Sequence, residues 1–214
     1  KSRNCKYYIE NRGDLMYPLI ELNCKTIRNN AEILLRVCRE HNIEPYAVIK
    51  GFNADPAVTS SIVDAGFSVV ASSRLEHLAA FKQNDGRAET LALRIPMLSE
   101  TEEVVKYADI SLNSQKRTLE ALNTAACKAG KIHKVILMRD LGDLREGVIS
   151  GSELVELAQY VENKLKSLRL HGIGTNLGCY GSVLPTKSNL TLLAEDAEVI
   201  EQRIGRPLDV ISGG

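Results

Sequence analysis

The stretch YAVIKGFNADPAVTSSIVDAGFSVVAS, residues 46–72, contains one strand–helix–strand unit. YAVIK (46–50) and FSVVAS (67–72) are short runs of apolar and β-branched residues, which are typical of buried strands. Between them, Asp55 is placed to cap a helix that spans 56–65 and opens with a proline. Strands that alternate with helices in this way predict βα units and a parallel sheet.

The same alternation continues on both sides of this stretch. Further strands are predicted at PLIELN (18–23), TLALRI (90–95), DISLN (109–113), KVILMRD (134–140), RLHGIGTN (169–176) and LDVIS (208–212). Helices are predicted over 25–41, 74–83, 99–107, 115–129, 152–166 and 187–204, with a capping box at Ser99 and Glu102. No flexible linker interrupts the series, which predicts one α/β domain, a TIM-type (β/α)8 barrel. A doubly wound sheet is the alternative, but no glycine-rich dinucleotide loop follows an early strand.

The composition is that of a soluble globular protein. Of the 214 residues, 44% are hydrophobic and 25% charged, and the formal net charge is zero. Without a charge excess, we expect no nucleic acid and no anionic membrane as partner. No apolar run approaches the roughly 18 residues that a membrane helix needs. The five cysteines show no metal-ligand spacing, so we expect no metal, free thiols and a cytoplasmic location.

Polar residues end most of the predicted strands, and in a barrel such residues meet at one mouth. They are Lys50, Ser72, Ser73, Arg94, Asn113, the segment 140–145, Thr175, Asn176 and the segment 212–214. Lys50 follows three apolar residues directly, and an apolar setting would favour the neutral amine that attacks an aldehyde. A lysine whose ammonium reaches solvent at a strand end explains the same tetrapeptide, AVIK, equally well.

One charged loop and two glycine-rich segments lie next to these strand ends. DLGDLREG (140–147) has three possible interpretations: a carboxylate metal site, a loop that presents Arg145 to an anion or phenolate, and a solvated turn. GIGTNLGCYG (172–181) permits close approach to a ligand or forms a structural turn. VISGG (210–214) has the form of a phosphate-cradling turn. The histidines stand beside no recognisable nucleophile, and we interpret them as structural or surface residues.

Taken together, these segments resemble the N-terminal barrel of the alanine racemase family, fold type III of the pyridoxal 5'-phosphate (PLP) enzymes. The resemblance is strongest to its alanine/ornithine racemase branch. The matching segments are MYPLIELNCKTIRNNA (16–31), AVIKGFNADP (47–56), LRIPMLSETEEVVKYADISLNS (93–114), DLGDLREG, GIGTNLGCYG and VISGG. Their order and spacing together are more specific than any single segment.

The resemblance implies a role for each matching residue. Lys50 matches the catalytic lysine that forms the Schiff base with PLP, and Arg145 matches the arginine near the cofactor's phenolic oxygen. Asn176 stands where alanine racemases have a histidine stacked on the pyridine ring, which is a departure from the family. The turn that grips the phosphate begins with Ser212, Gly213 and Gly214.

The resemblance also implies how the chain is organised. Residues 1–15 are expected to be an N-terminal extension or added residues, and residues 16–214 an incomplete PLP-binding barrel. Its last strand and a C-terminal β domain are expected beyond residue 214, and PLIELN then lies outside the barrel. We expect a homodimer at full length, because alanine racemases take their second acid/base, a tyrosine, from the partner's C-terminal domain. Tyr180 and Cys179 are weaker candidates for that group.

The implied activity is PLP-dependent racemisation of a small-molecule amino acid, alanine or ornithine-like, by loss of the Cα proton from an external aldimine. Lys50 is the expected base on one face. Two alternatives are a non-catalytic PLP homeostasis protein and a fold-type III amino-acid decarboxylase. The PLIELN opening, the DLGDLREG loop and the VISGG ending argue against the first, and the decarboxylases have different barrel motifs.

Overall fold

Strands and helices alternate through the part of the chain that the computed structural model describes, residues 21–178 and 183–213. The chain divides into two units, Lys1–Glu89 (unit 1) and Thr90–Gly214 (unit 2). Within the described residues, no helix has both the length and the apolar character that crossing a bilayer requires.

The described part of unit 1 begins with a helix and then repeats strand and helix. Its described elements are α1 Cys24–Glu40, β1 Ala47–Val48, α2 Pro56–Asp64, β2 Val69–Ser72 and α3 Leu75–Asn84. Asp55 caps α2 as the sequence predicts, because its Oδ1 accepts hydrogen bonds from Ala57 N and Val58 N, both at 3.0 Å. β1 and β2 pair in parallel with Ala47 beside Val70, which confirms the strand–helix–strand prediction.

The core of unit 1 is a cluster of aliphatic and phenylalanine side chains from its helices and strands. It consists of Ala31, Leu35, Ala47, Ile49, Ala54, Val63, Phe67, Val70, Phe81 and Ala88. Ile49 and Val70 are both 0% exposed. Full burial of such a side chain stabilises a fold by about 1.5–3 kcal/mol. This packing fixes the position of β1, which is only two residues long.

Unit 2 continues the same alternation. Its elements, the first of which begins at the unit boundary, are β3 Glu89–Ala92, α4 Thr101–Tyr107, β4 Ile110–Asn113, α5 Lys116–Lys128, β5 His133–Met138, α6 Gly151–Lys164, β6 Leu168–Gly174, α7 Lys187–Ile204 and β7 Val210–Ser212. Neighbouring strands from β3 to β7 pair in parallel. Leu112, Ile136 and Ile173 are among the side chains buried along these strands. Consecutive parallel strands joined by helices are the arrangement that the sequence predicts.

Some element boundaries differ from the predictions. The strand predicted over YAVIK ends at Val48, because Lys50 begins a 3-10 turn, Lys50–Phe52. The capping box predicted at Ser99 is wrong, since α4 begins only at Thr101. Of the strand predicted at PLIELN, residues 18–20 lie outside the described residues, and 21–23 form no strand.

Two glycines of the GIGTN segment let β6 and β7 approach closely. Gly172 lies beside Val210 and Gly174 beside Ser212. A Cβ added to Gly174 would stand 3.0 Å from Ser212 Cβ, and one added to Gly172 would overlap the Val210 carbonyl oxygen. These glycines therefore serve the packing of two strands, which is a structural reason for part of this motif.

We predict that Gly172→Ala destabilises the protein by roughly 2–3 kcal/mol, because the new methyl group forces β7 away from β6. Gly51→Ala is the matched control, since a Cβ there meets no atom within 4 Å. Urea unfolding followed by circular dichroism measures both variants. Equal unfolding midpoints for the two variants would contradict the close packing of β6 and β7.

Candidate functional site

Lys50 follows a residue whose backbone is fixed on both sides. Ile49 N donates to Ala71 O at 2.9 Å, which attaches it to β2, and Ile49 O accepts from Ala54 N at 2.9 Å. Asn53 N donates to Lys50 O at 3.3 Å and closes the 3-10 turn. The side chain of Lys50 therefore starts from a backbone position set by the core of unit 1.

Lys50 is exposed, and the apolar run before it leaves two interpretations open, an enclosed amine and an ammonium that reaches solvent. Within the described residues, the exposure agrees with the second interpretation. Val48 precedes Lys50 by two positions and is 46% exposed, while Ala47 and Ile49 are buried. One face of this short segment is packed and the other is open, so the pattern AVIK identifies the buried face but not what covers the opposite one.

A partly buried hydrogen-bond chain supports the turn that carries Lys50. His77 Nδ1 lies 3.0 Å from Ser72 Oγ, and His77 Nε2 lies 3.1 Å from Asn53 Oδ1. Because an amide oxygen only accepts, Nε2 carries the proton and Nδ1 accepts from the serine hydroxyl. Asn53 and Ala54 both have positive φ, 55° and 52°, a conformation that costs a non-glycine residue about 1 kcal/mol or more. The chain to His77 helps to hold this strained turn.

Several strand-end residues expected at a barrel mouth instead have structural roles. Ser72 is 1% exposed and contacts His77. Arg94 forms an ion pair with Glu100, whose Oε1 also accepts from Met97 N at 2.8 Å. Burial raises the pKa of Glu100, but the hydrogen bonds from Arg94 and from Met97 outweigh it, and the net pKa lies below its ordinary value. This pair stabilises the loop after β3.

Two further strand-end side chains are buried. Asn113 is 0% exposed and Thr175 is 1% exposed. Asn113 Nδ2 donates to Ser111 O at 3.0 Å, which fixes the amide with Oδ1 on the other side. Among the described residues, neither Asn113 Oδ1 nor Thr175 Oγ1 has a hydrogen-bond partner. A buried polar atom of this kind is usually satisfied by ordered water or by a bound group. These two side chains are enclosed, whereas the sequence predicts that the strand ends line an open mouth.

The loop that presents Arg145 has a closed base. Asp140 N donates to Val148 O at 3.0 Å, and Val148 N donates to Met138 O at 2.8 Å. Arg139 Nη1 donates to Val148 O at 3.0 Å, while its Nε contacts Asp196 Oδ2 of α7 at 2.8 Å. The loop is therefore attached both to its own strand and to a helix, so its position does not depend on solvent-exposed contacts.

The first carboxylate of the DLGDLREG loop shapes the loop itself. Asp140 is 8% exposed, and its Oδ1 accepts from Gly142 N at 2.8 Å and from Leu144 N at 3.2 Å. Gly147 has a φ of 120°, and a Cβ there would stand 2.5 Å from Asp140 N. Of the three alternatives for this segment, a structured loop that presents a side chain agrees best with these contacts.

The structure brings together Arg145 and Asn176 through Glu146. Arg145 Nη2 donates to Glu146 Oε1 at 2.7 Å, and Asn176 Nδ2 donates to the same oxygen. The side chains of Arg145 and Glu146 are 34% and 12% exposed. Asn176 is half-buried just after β6. Two residues selected from the sequence are thus joined by a third that was not selected.

The end of β7 lies against the same part of unit 2. Thr175 N donates to Ser212 O at 3.0 Å, and Arg139 N donates to Gly174 O at 2.7 Å. These bonds connect the strand ends that carry Arg139, Thr175 and Ser212. Ser212 is half-buried and Gly213 is exposed. Gly214, Cys179 and Tyr180 lie outside the described residues, so their expected roles stay predictions.

The donor chemistry of each unit, taken by itself, fits one part of an aldehyde that carries a phosphate. In unit 1, Lys50 has the amine that would condense with an aldehyde. In unit 2, Arg145 has guanidinium N–H donors suited to an oxyanion, and Ser212 has a hydroxyl. A Cβ added to Gly213 would come only as near as 3.8 Å to Leu190 Cδ2, so the backbone there is open to a ligand.

Sequence reasoning did not select Glu146 as a site residue, and it assigned His77 no specific contact. Glu146 lies within a recognised loop, but its partner Asn176 is 30 positions away along the chain. His77 was interpreted as structural or surface, and burial at 7% confirms the structural interpretation. Its two partners lie 5 and 24 positions away. The only local signal was the presence of polar residues next to apolar strands.

Comparison with known proteins gives one family and two curated relatives. Residues 22–214 match the family model described as alanine racemase, N-terminal domain. An ornithine racemase of Acetoanaerobium sticklandii is 39% identical over 93% of this chain and 56% of its own length. A lysine racemase of Thermotoga maritima is 30% identical over 94% of this chain and 55% of its own length. The chain therefore spans about half the length of these relatives.

Solved structures agree on the fold. Alanine racemase from Streptomyces coelicolor A3(2) superposes with a TM-score of 0.73 at 20% identity, over 88% of this chain and 51% of its own. D-threonine aldolase from Filomicrobium marinum superposes with a TM-score of 0.73 at 17% identity, over 89% of this chain and 54% of its own. PLP-bound PipY of Synechococcus elongatus superposes with a TM-score of 0.65 at 16% identity, over 85% of this chain and 86% of its own. This likeness confirms the α/β fold of TIM-barrel type, and it does not distinguish among activities.

We predict that His77→Leu destabilises the protein by about 1–3 kcal/mol, because Ser72 Oγ loses its buried partner and the left-handed turn loses a support. Hydrogen exchange at Asn53 N and Ala54 N should become faster, since these amides hold the turn. The control is His41→Leu at an exposed position. Equal unfolding midpoints and equal exchange rates in the two variants would show that the hydrogen bonds from Ser72 through His77 to Asn53 do not stabilise the turn.

Proposed function

This chain belongs to the alanine racemase N-terminal domain family, and from that membership we propose that the protein is a PLP-dependent racemase of a basic amino acid of the ornithine type. The observation that carries the proposal is 39% identity to an ornithine racemase along almost the whole chain. A lysine racemase is the second relative. Ornithine and lysine both end in an amine, which supports a basic substrate over alanine.

The cofactor of this family is PLP, which when bound supplies the electron sink that makes the substrate's Cα–H bond acidic. In the proposal, the Nζ of Lys50 would hold the cofactor, and the same atom would accept the substrate's Cα proton. The buried Ile49 and the hydrogen bond from His77 to Asn53 would hold the backbone of the lysine in place.

The remaining residues of the site hold the cofactor. By the resemblance, Arg145 would hold the cofactor at its phenolic oxygen and Asn176 would contact it at the ring, while Ser212, Gly213 and Gly214 would begin the turn that holds its phosphate. Glycine at the turn leaves backbone N–H groups accessible to phosphate oxygens. These roles are supported by the motifs and by the donor chemistry of each residue.

Racemisation needs a second acid/base opposite Lys50. By the resemblance, that group comes from a partner subunit, and we therefore propose a homodimer. The same proposal divides the chain into an N-terminal extension or added residues, 1–15, and an incomplete PLP-binding barrel, 16–214. It also includes a cytoplasmic location, which is supported by the free thiols of Cys38 and Cys127.

A second candidate is a PLP-binding protein without racemase activity. The observation that favours it is the fold likeness to PLP-bound PipY, of which this chain covers 86%. The higher identity to two racemases favours catalysis. A decarboxylase of the same fold remains the third alternative.

The proposal is tested by incubating the full-length protein with PLP and with L-ornithine, L-lysine or L-alanine, followed by chiral chromatography and CO2 measurement. We expect D-ornithine to form, with a kcat/KM for L-ornithine at least about tenfold above that for L-alanine. Release of CO2 would instead indicate a decarboxylase. PLP binding without D-isomer or CO2 would leave the binding protein as the function.

A further inference from the structure

Glu146 is a partly buried carboxylate placed between two polar side chains. Its side chain is 12% exposed. Arg145 Nη2 and Asn176 Nδ2 both donate to the same oxygen, Oε1. A carboxylate withdrawn from water needs such donors, because an uncompensated charge at this burial would be costly. The arrangement is therefore more than an exposed ion pair between neighbours in sequence, which contributes little.

The three residues come from different parts of unit 2. Arg145 and Glu146 lie on the loop after β5, and Asn176 follows β6. The loop base is fixed by Arg139, and the residue before Asn176 is bonded to the end of β7 through Thr175 N and Ser212 O at 3.0 Å. Glu146 thus connects the loop after β5 to the segment after β6, and both are already held by other bonds. Its own hydrogen bonds therefore set the orientation of the Arg145 and Asn176 side chains.

We infer that Glu146 is a positioning residue that orients the guanidinium of Arg145 and the amide of Asn176 toward the ligand of the proposed site. The inference rests on the proposed function for the identity of that ligand, PLP. In physical terms, one oxygen of the Glu146 carboxylate fixes two side chains.

The bond to Glu146 decides which atom Asn176 presents. An asparagine amide has one accepting and one donating end. Because Nδ2 is turned toward Glu146 Oε1, the oxygen Oδ1 is on the opposite side of the amide. Asn176 then presents a hydrogen-bond acceptor at the position where, by the resemblance, alanine racemases have the ring of a histidine. Arg145 is bonded at Nη2, and because the guanidinium is planar, this contact helps to orient the whole group.

The first experiment needs no cofactor. In the ¹H–¹⁵N spectrum of the full-length protein, the side-chain amide of Asn176 should give a proton shifted downfield by its bond to a carboxylate. Glu146→Leu should remove that shift. Glu146→Gln should keep part of it, because the new side chain retains a carbonyl oxygen. Glu156→Leu, at an exposed position on α6, is the control and should leave the resonance unchanged.

The second experiment measures PLP affinity by absorbance titration of the same proteins. Glu146→Leu should weaken binding about tenfold, with Glu146→Gln in between and Glu156→Leu at the wild-type value. Combining Glu146→Leu with Asn176→Ala should cost less than the product of the two single effects, since both remove one contact.

An Asn176 resonance and a PLP dissociation constant that are the same in Glu146→Leu and in Glu156→Leu would overturn the inference. Glu146→Gln decides the question if the leucine variant does not fold, because it keeps shape and an acceptor. A wild-type protein that takes up no PLP would refute the proposed function instead. In that case the Asn176 resonance still shows whether Glu146 holds the amide.

Discussion

The buried backbone at Ile49 determines where Lys50 stands. Ile49 is 0% exposed, donates to Ala71 O on β2 and accepts from Ala54 N across the turn. A side chain that is fully packed at this point leaves the next residue little choice of starting position. The turn that follows contains two left-handed residues, and the hydrogen bond from His77 to Asn53 helps to hold them. Packing, a strained turn and a buried histidine therefore act together on one lysine.

In unit 2, hydrogen bonds between strand ends have the corresponding effect. Arg139 attaches the loop after β5 to α7 through Asp196, and its backbone N–H donates to the end of β6. Glu146 then connects the loop to Asn176. Polar residues at the carboxyl ends of parallel strands are commonly held by such networks, because a site placed on rigid elements keeps its geometry. Arg145 and Asn176 are thus bonded to the same carboxylate in this unit, and Thr175, the residue before Asn176, is bonded to Ser212.

Much of the fold was predictable from local pattern, whereas the contacts of the site were not. The helix over 187–204 and the cap at Asp55 follow from periodicity and from residue type, and both are confirmed. The choice between an enclosed and an exposed Lys50 was not predictable, because an apolar run before a lysine specifies only the packed face. The bond between Glu146 and Asn176 depends on how two distant loops meet, and no local signal encodes it. The family resemblance, not periodicity, assigned functions to individual residues.

The central claim is that the amine of Lys50 forms the bond to PLP. The most direct measurement is borohydride reduction of the PLP-loaded full-length protein, followed by peptide mapping with mass spectrometry. The account predicts a reduced pyridoxyl group on the peptide that contains Lys50, and its absence from the same peptide of a Lys50→Arg variant. A pyridoxyl group on a different lysine, with Lys50 unmodified, would contradict the account.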